Sequence, residues 1–280
     1  LIILYICLTK INYMKIFLFK AIAILFVFSI SEVHVDPAQQ FEGKAYYFSK
    51  SKMELGNWGA RMSEAQKKQM QARLKNRLEK RFVLSFNNTE SFFKEEEKVD
   101  AISGATDSWG SNFARGPQYK NIADNKLVQE QEFYGKKFLV TDKLQSIDWQ
   151  MGTESKQIGQ YMCFKATAII PTEELDWYNF SWSDLQSQED ETVKMTVVEA
   201  WYTLQIPLKH GPAEYWGLPG LILEVSAGNT TMLCSEIVLN PKDAVAIKMP
   251  EKGKEIAKME YRSTMKGKML EMRNNRGRRN

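Results

Sequence analysis

Apolar and polar residues alternate along much of the chain after residue 40, which is the period of a β-strand with one buried face. The clearest alternating runs cover residues 41–50, 136–144, 160–171 and 192–207. Turn-forming residues separate such runs at a spacing of about ten positions: Asn87-Asn88, Gly135, Gly152 and Gly228-Asn229. Because antiparallel strands can be joined by short turns, this spacing predicts an antiparallel meander.

Two stretches have a helical pattern instead. Ser63 and Gln66 have the spacing of a capping box, which predicts the start of a helix. The apolar residues that follow recur at every fourth position on one helix face: Met70, Leu74 and Leu78. A second helix is predicted over residues 252–272, where Ile256, Met259 and Met269 stand among Lys and Glu residues. The pattern therefore predicts an α+β fold with one amphipathic helix towards each end.

Two stretches lack a clear period. Residues 100–125 are rich in Gly, Ser, Asn and Asp and are predicted to form a long loop, which in a compact domain tends to be functional or mobile. Residues 172–191 are predicted to be an insertion in which four aromatic residues stand among acids and serines: Trp177, Tyr178, Phe180 and Trp182.

The N-terminal region has the pattern of a secretory signal peptide. Met14 is followed by Lys15, Lys20 and a short apolar run, and cleavage is expected between Ser31 and Glu32. An uncleaved anchor is the alternative, but the apolar run is short for a membrane span. We therefore predict upstream sequence and a signal peptide over 1–31, one antiparallel β-rich domain over 32–252, and a C-terminal helix with a basic tail over 253–280.

The charge balance supports an exported protein without a strong preference for nucleic acid. The sequence has 38 Lys and Arg against 34 Asp and Glu. Removing the signal region takes away Lys10, Lys15 and Lys20, so the mature chain is nearly neutral. Positive charge is concentrated in the tail around Arg273–Arg279, where contact with anionic lipid or an envelope polymer is the alternative to a purely solubilising role. We expect a periplasmic or envelope-associated protein that binds no nucleic acid.

The cysteines leave two interpretations open. Cys7 precedes Met14, so the mature chain keeps Cys163 and Cys234, both in strand-like apolar runs. In an oxidising compartment the two could form a disulfide. The alternative is a pair of free, buried thiols that pack as small hydrophobic residues.

Residues 201–225, WYTLQIPLKHGPAEYWGLPGLILEV, form the densest candidate site. His210 is the one plausible catalytic histidine, because His34 lies next to the expected cleavage site. Nucleophilic catalysis also needs an activated partner, and neither buried cysteines nor a G-x-S-x-G elbow supply one. Too few His and Cys residues are present for a metal site, so we expect no metal and no cofactor.

The aromatic residues of this stretch suggest binding rather than catalysis. We predict that Trp201, Tyr202, His210, Tyr215 and Trp216 contact a ligand or partner in an apolar groove. Ordinary core packing is the alternative, since aromatic side chains dominate buried cores. The remaining residues of interest are expected to shape the turn into the next strand: Gly217, Pro219 and Gly220.

At Gly217–Ile222 the chain resembles the secreted bacterial family that is named GLPGLI after this motif. Similar stretches are EFYGKKFLV (132–140), IGQYMCFKA (158–166), residues 199–225 and the basic end 274–279. The resemblance implies secretion but no established activity. Leu204 departs from the family pattern, which has proline there. A weaker resemblance to periplasmic lipoprotein carriers implies a curved half-barrel sheet that can hold a lipid-like ligand.

These observations predict an α+β protein with a mainly antiparallel, curved sheet. The expected function is non-enzymatic binding of an apolar ligand, a peptide or an envelope partner such as an outer-membrane protein. One alternative is a hydrolase that uses His210 with an acidic partner. Another is a structural or assembly factor for an outer-membrane complex.

Overall fold

The computed structural model describes residues 41–52, 61–96, 114–179, 193–243 and 245–277. All of these lie in one unit, Phe41–Asn280. The predicted signal peptide, most of the loop predicted over 100–125, and the predicted insertion beyond residue 179 fall outside the described residues.

One sheet of twelve strands organises the described part of the chain. The strands are β1 Gly43–Ser51, β2 Glu79–Phe86, β3 Glu90–Glu95, β4 Gln118–Asn121, β5 Lys126–Phe133, β6 Lys136–Lys143, β7 Gln150–Ile158, β8 Tyr161–Pro171, β9 Met195–Thr203, β10 Leu221–Ala227, β11 Thr230–Leu239 and β12 Lys254–Ile256. Their spatial order is β12-β6-β5-β4-β3-β2-β1-β11-β10-β9-β8-β7. Every neighbouring pair is antiparallel except β12 and β6. The sheet is curved and unclosed, so the predicted α+β class with a mainly antiparallel, curved sheet is confirmed.

Three helices accompany the sheet among the described residues: α1 Glu64–Leu78, α2 Thr172–Leu175 and α3 Lys258–Gly277. The predicted capping box is confirmed, because Ser63 and Gln66 each accept from the other's backbone N–H. The predicted start of the C-terminal helix is wrong. Ile256 instead ends β12, where it pairs with Val140, and helix α3 begins two residues later. No helix in the described ranges is long and apolar enough to span a membrane.

The register of the sheet defines one inner face, which is apolar across β1, β11, β10 and β9 and polar across β3, β4 and β5. From Tyr47 on β1, cross-strand pairs and strand alternation lead to Met232, Val225 and Ala200, all buried. In the other direction the same face passes through Phe82 to Phe93 and then becomes polar. Its buried polar residues are Ser91, Gln118, Lys120, Gln129 and Gln131. Because buried polar groups need partners, this half of the face requires a polar cover.

A second apolar cluster joins helix α3 to the sheet. Tyr261, Met265 and Met269 are spaced on one helix face and pack with Phe138 and Trp177. The rings of Tyr261 and Trp177 meet edge to face at 5.6 Å between centroids. Helix α3 therefore packs against the sheet at β5 and β6.

Candidate functional site

The candidate site is the connection between β9 and β10, here called segment 204–220. Backbone hydrogen bonds join it to the start of β10: Ile206 O accepts from Leu221 N at 2.9 Å, and His210 O accepts from Ile222 N at 3.1 Å. Apolar anchors are buried near each end, at Ile206, Leu208 and Leu218. The segment therefore packs into the core and is not a solvent-exposed surface loop.

Glycines permit the close return of the segment to the sheet. A Cβ on Gly220 would lie 2.0 Å from the carbonyl oxygen of Thr203, which is far inside contact distance. Gly217 has a φ of +95°, a conformation that L side chains rarely adopt. With Pro219, which is exposed, these glycines lie directly before β10. The local sequence thus fixes where the segment rejoins the sheet.

Lys120 on β4 anchors the middle of the segment. Its Nζ donates to the carbonyl oxygens of Gly211 at 2.8 Å, Ala213 at 2.7 Å and Tyr215 at 3.2 Å. The side chain is buried, and burial lowers the pKa of Lys120 to about 7 although Glu214 acts to raise it. Three carbonyls match the three donors of an ammonium group, so the lysine is fully satisfied by backbone acceptors.

A buried ion pair provides a second anchor. Arg115 donates to both carboxylate oxygens of Glu214 and, at 2.9 Å, to the hydroxyl of Tyr178. Burial alone would lower the pKa of Arg115, but Glu214 raises it above its ordinary value. Burial raises the pKa of Tyr178 to about 12, so its hydroxyl stays protonated. Glu214 also accepts from the Gln118 amide at 3.3 Å, which links the ion pair to β4.

Glutamines continue this polar network across the inner face. Gln118 Nε2 donates to Gln129 Oε1, and Gln129 Nε2 donates to Gln131 Oε1, both at 2.9 Å. Gln131 Oε1 also accepts from the backbone N–H of Gly116 at 2.9 Å. The polar half of the inner face is therefore covered largely by the chain's own groups.

His210 is buried with only one of its ring nitrogens engaged. Nε2 lies 3.0 Å from the carbonyl oxygen of Asn87, so Nε2 must carry the proton. Nδ1 has no hydrogen-bond partner among the described residues. Burial, and then the nearby Lys120, lower the pKa of His210 to about 3. The imidazole is thus neutral at ordinary pH, and no carboxylate of the described residues is hydrogen-bonded to it as the acidic partner of a hydrolase would be.

Trp201 and Tyr202 lie on opposite faces of the sheet, as strand alternation predicts. On the outer face, Lys156 Nζ lies 4.2 Å from the centre of the Trp201 ring, and the indole N–H donates to Glu199 at 2.9 Å. On the inner face, the Tyr202 hydroxyl lies 3.4 Å from the sulfur of Met151. Both aromatic side chains are buried. The structure therefore does not bring Trp201 together with the other predicted binding residues.

Tyr215 and Trp216 are also engaged within the protein. Tyr215 is buried, and burial raises its pKa above the ordinary value. The Trp216 indole donates to Gln145 O at 2.7 Å, and Trp216 O accepts from the Trp149 indole at 2.8 Å. These two tryptophans fasten the segment to the chain that leads into β7.

Cys163 and Cys234 are free thiols in the structure, which does not contain the disulfide that the sequence leaves open. Cys163 lies on β8 and Cys234 on β11, with β9 and β10 between them. Burial raises the pKa of Cys163 to about 11 and that of Cys234 to about 12. Both therefore remain protonated and pack as small apolar residues.

The described residues contain no group of three or more His, Cys, Asp or Glu side chains that could hold a metal ion. An open groove of about 690 Å³ does exist elsewhere on the surface. It is lined by charged residues and one methionine, none from segment 204–220: Glu130, Lys137, Lys248, Met249, Glu251 and Lys252.

Sequence reasoning missed the residues that hold the segment in place. Gln118–Asn121, predicted to belong to a loop, forms strand β4, and Lys120 projects from it. Arg115 lies three residues before that strand and falls in the same predicted loop. The one usable signal was the alternation Gln118, Tyr119, Lys120, but a lysine in so short a run has the pattern of a solvated residue.

One family model matches a part of the chain that includes segment 204–220. A family described as "Protein of unknown function (Porph_ging)" matches residues 149–224, which run from the start of β7 into β10. No curated protein matches the chain.

Solved structures share a limited similarity with the chain. The structure of PNGF-II in a C2 space group has 13% sequence identity and a TM-score of 0.47, over 81% of this chain and 32% of that chain. The structure of PNGF-II in a P21 space group has 13% sequence identity and a TM-score of 0.46, over 81% of this chain and 33% of that chain. The chain thus spans about a third of the length of these proteins.

Proposed function

We propose that this is an exported protein of the bacterial cell envelope that binds another envelope protein and carries out no catalysis. The observation that carries this proposal is the occupation of the inner face by segment 204–220. A carrier of a small apolar ligand needs a concave pocket that buries most of the ligand. Here the aromatic side chains and polar groups of that face contact the chain's own segment, so partner binding is assigned to the outside of the sheet.

An exposed apolar row on the outer face of β8 and β9 supports this assignment. Ile169 and Val197 are direct cross-strand partners, and Met195 lies two residues before Val197 on the same face. Together with Val193, just before β9, each is more than half exposed. A flat apolar row is better covered by a protein surface than by a small molecule, which would leave much of its own surface in water.

The hydrolase alternative has less support. His210 is 0% exposed, and the carboxylate of Glu214 on the same segment is bound to Arg115. A general base must reach both its substrate and an orienting partner. An assembly role in an outer-membrane complex is compatible with the proposal, because it also acts through protein contacts.

Membership of the GLPGLI family forms part of the proposal. The matched range 149–224 includes residues 217–222 and the whole of β8. The description of the family model that matches this range names no function, so the match adds nothing on activity.

The signal-peptide pattern of residues 14–31 supports export, and N-terminal sequencing of the mature protein from the envelope fraction should begin at Glu32. A protein that stays in the cytoplasm with residues 14–31 attached would contradict export.

The central experiment places a photo-crosslinking amino acid at position 197 in cells that produce the protein. We expect irradiation to yield one discrete adduct with an envelope protein, and Ile169→Lys in the same chain should reduce that adduct strongly. The matched control carries the crosslinker at Met259, an exposed apolar residue on helix α3.

The outcomes separate the alternatives. Equal adducts at positions 197 and 259 would indicate non-specific contact and overturn the proposal. Adducts with lipid only would favour an apolar ligand instead. Absence of any adduct at position 197 would also count against a protein partner on this row.

A further inference from the structure

We propose that the middle of the segment, residues 209–216, is an acid-released cover of the inner face, and that protonation of His210 drives its release. This device goes beyond the proposed partner binding and does not depend on it. It rests on the way in which one imidazole is buried between the segment and the sheet.

A second N–H on the His210 ring would have no hydrogen-bond acceptor from the described part of the chain in the covered state. Its Nε2–H already donates to the Asn87 carbonyl oxygen in the turn between β2 and β3. Nδ1 is buried, and no acceptor for an Nδ1–H lies within hydrogen-bonding distance among the described residues. A buried, unpaired donor on a charged ring is costly, so a protonated His210 favours any state in which the ring reaches water.

The charged groups around His210 reinforce this effect. Lys120 from β4 lies close enough to disfavour a second positive charge on the imidazole. Lys120 in turn faces Glu214 of the segment and Arg115, which precedes β4. The Glu214 carboxylate is already bound to Arg115 and Gln118. The Phe86 ring, with its centroid 6.4 Å from the imidazole, supplies no charge.

The segment is built so that it can leave without unfolding the sheet. Its contacts with the polar half of the inner face are side-chain bonds, chiefly those of Lys120, Arg115 and His210. Its backbone-to-backbone hydrogen bonds are made within the segment or to β10, as in Gly217 N to Lys209 O at 3.0 Å. At the end of the cover, Trp216 is also bonded to Trp149 and Gln145, and release must break these two bonds or pivot about them. Release would expose Ala213, Tyr215 and the polar strand β4 beneath them.

The expected size of the effect follows from proton linkage. The pKa of His210 is about 3 in the covered state and 6.5 where the ring is solvated. Lowering the pH from 7.5 to 4.5 therefore raises the population of the released state by about 100-fold relative to the covered state. Lys120, whose pKa burial lowers to about 7 in the covered state, adds a smaller gain in the same direction when release solvates its ammonium group, so His210 supplies most of the pH dependence.

Hydrogen exchange of backbone amides measures the release directly. The informative amides are Gly217 and Ile222, which donate to Lys209 and His210, and the reference amides are those of the central strand β1. After correction for the intrinsic exchange rate, we expect protection of Gly217 and Ile222 to fall about 100-fold between pH 7.5 and 4.5. Protection in β1 should change much less.

His210→Gln is the decisive variant, because glutamine can still donate to Asn87 O but cannot be protonated in this range. The variant should lose most of the pH-dependent fall, whereas His34→Gln should keep it. An equal fall in His210→Gln would overturn the proposal. An equal fall in β1 and in the segment of the unaltered protein would overturn it as well, since the sheet would then be unfolding as a whole; this comparison needs no variant.

Discussion

The ammonium nitrogen of Lys120 lies 2.7 Å from the carbonyl oxygen of Ala213, a residue held at a φ of 51°. The two residues are 93 positions apart in the chain. An alanine rarely adopts this left-handed conformation, and here it turns a carbonyl towards a charged side chain from another strand. The contact shows that the segment is shaped by the sheet beneath it as well as by its own glycines.

Replacing Lys120 tests this anchor. Lys120→Met keeps the length of the side chain but leaves three buried carbonyls without their donor, and we expect a loss of about 3 kcal/mol in the free energy of unfolding. Urea denaturation measures it. Lys136→Met, at an exposed position on β6, is the control and should change stability by less than about 0.5 kcal/mol. Equal small effects at both positions would show that Lys120 is not an anchor.

The stability of the protein should fall between pH 7 and pH 5 because of His210. Its pKa is lowered to about 3 in the folded protein, so the unfolded chain binds a proton first as the pH drops below 6.5. The stabilisation is therefore present above pH 6.5 and is lost on acidification, by about 2 kcal/mol at pH 5. Urea titrations of the unaltered protein and His210→Gln at both pH values measure the difference. The same pH slope in both proteins would rule His210 out as its source.

Two glycine substitutions should act in opposite directions. Gly220→Ala places a Cβ 2.0 Å from the Thr203 carbonyl, so we expect a loss of at least about 3 kcal/mol. Gly267→Ala lies in helix α3, where, apart from its chain neighbours and the helix's own backbone, no atom of the described residues lies within 4 Å of the new Cβ. Because alanine favours helices, this variant should gain about 0.5–1 kcal/mol. Thermal unfolding of the two variants and the unaltered protein tests both predicted changes in stability. A Gly220→Ala variant as stable as the unaltered protein would contradict the close packing of the turn.

Neighbouring valines on β9 offer a test of which face is solvated. Val198 is 0% exposed and Val197 is 65% exposed. Val198→Thr buries a hydroxyl and should cost about 2 kcal/mol, whereas Val197→Thr should cost less than about 0.5 kcal/mol. Urea denaturation compares them. A comparable loss at position 197 would mean that the row on the outer face is part of the core and is not available to a partner.

The sequence was informative wherever structure is decided locally. Period-two alternation predicted most of the strands, and the pair Ser63 and Gln66 located the first helix. Ile256 was misplaced because one apolar residue among charges fits a short strand as well as a helix. Its assignment depends on pairing with Val140, a contact that a local pattern does not contain.

The site was only half predictable for the same reason. Segment 204–220 stands out by its glycines, prolines and aromatic residues, and strand alternation places adjacent Trp201 and Tyr202 on opposite faces. The contacts of Lys120 and Arg115 span more than ninety positions, and local composition does not encode them. Consequently the sequence drew attention to the aromatic residues, whereas the structure shows ionic and amide groups holding the segment.

The position of β1 has a consequence for the order in which the molecule can fold. Strands β2–β6 and β7–β11 each follow the chain in sequence, and β1 lies between β2 and β11. Tyr47 must therefore pair with Cys234, which lies 187 residues further along the chain (234 − 47). Contacts of such sequence separation form slowly, because a long loop must close first. A chain that emerges N-terminus first keeps one edge of β1 open until β11 has appeared, so an early stop in synthesis leaves a strand that can pair with other chains.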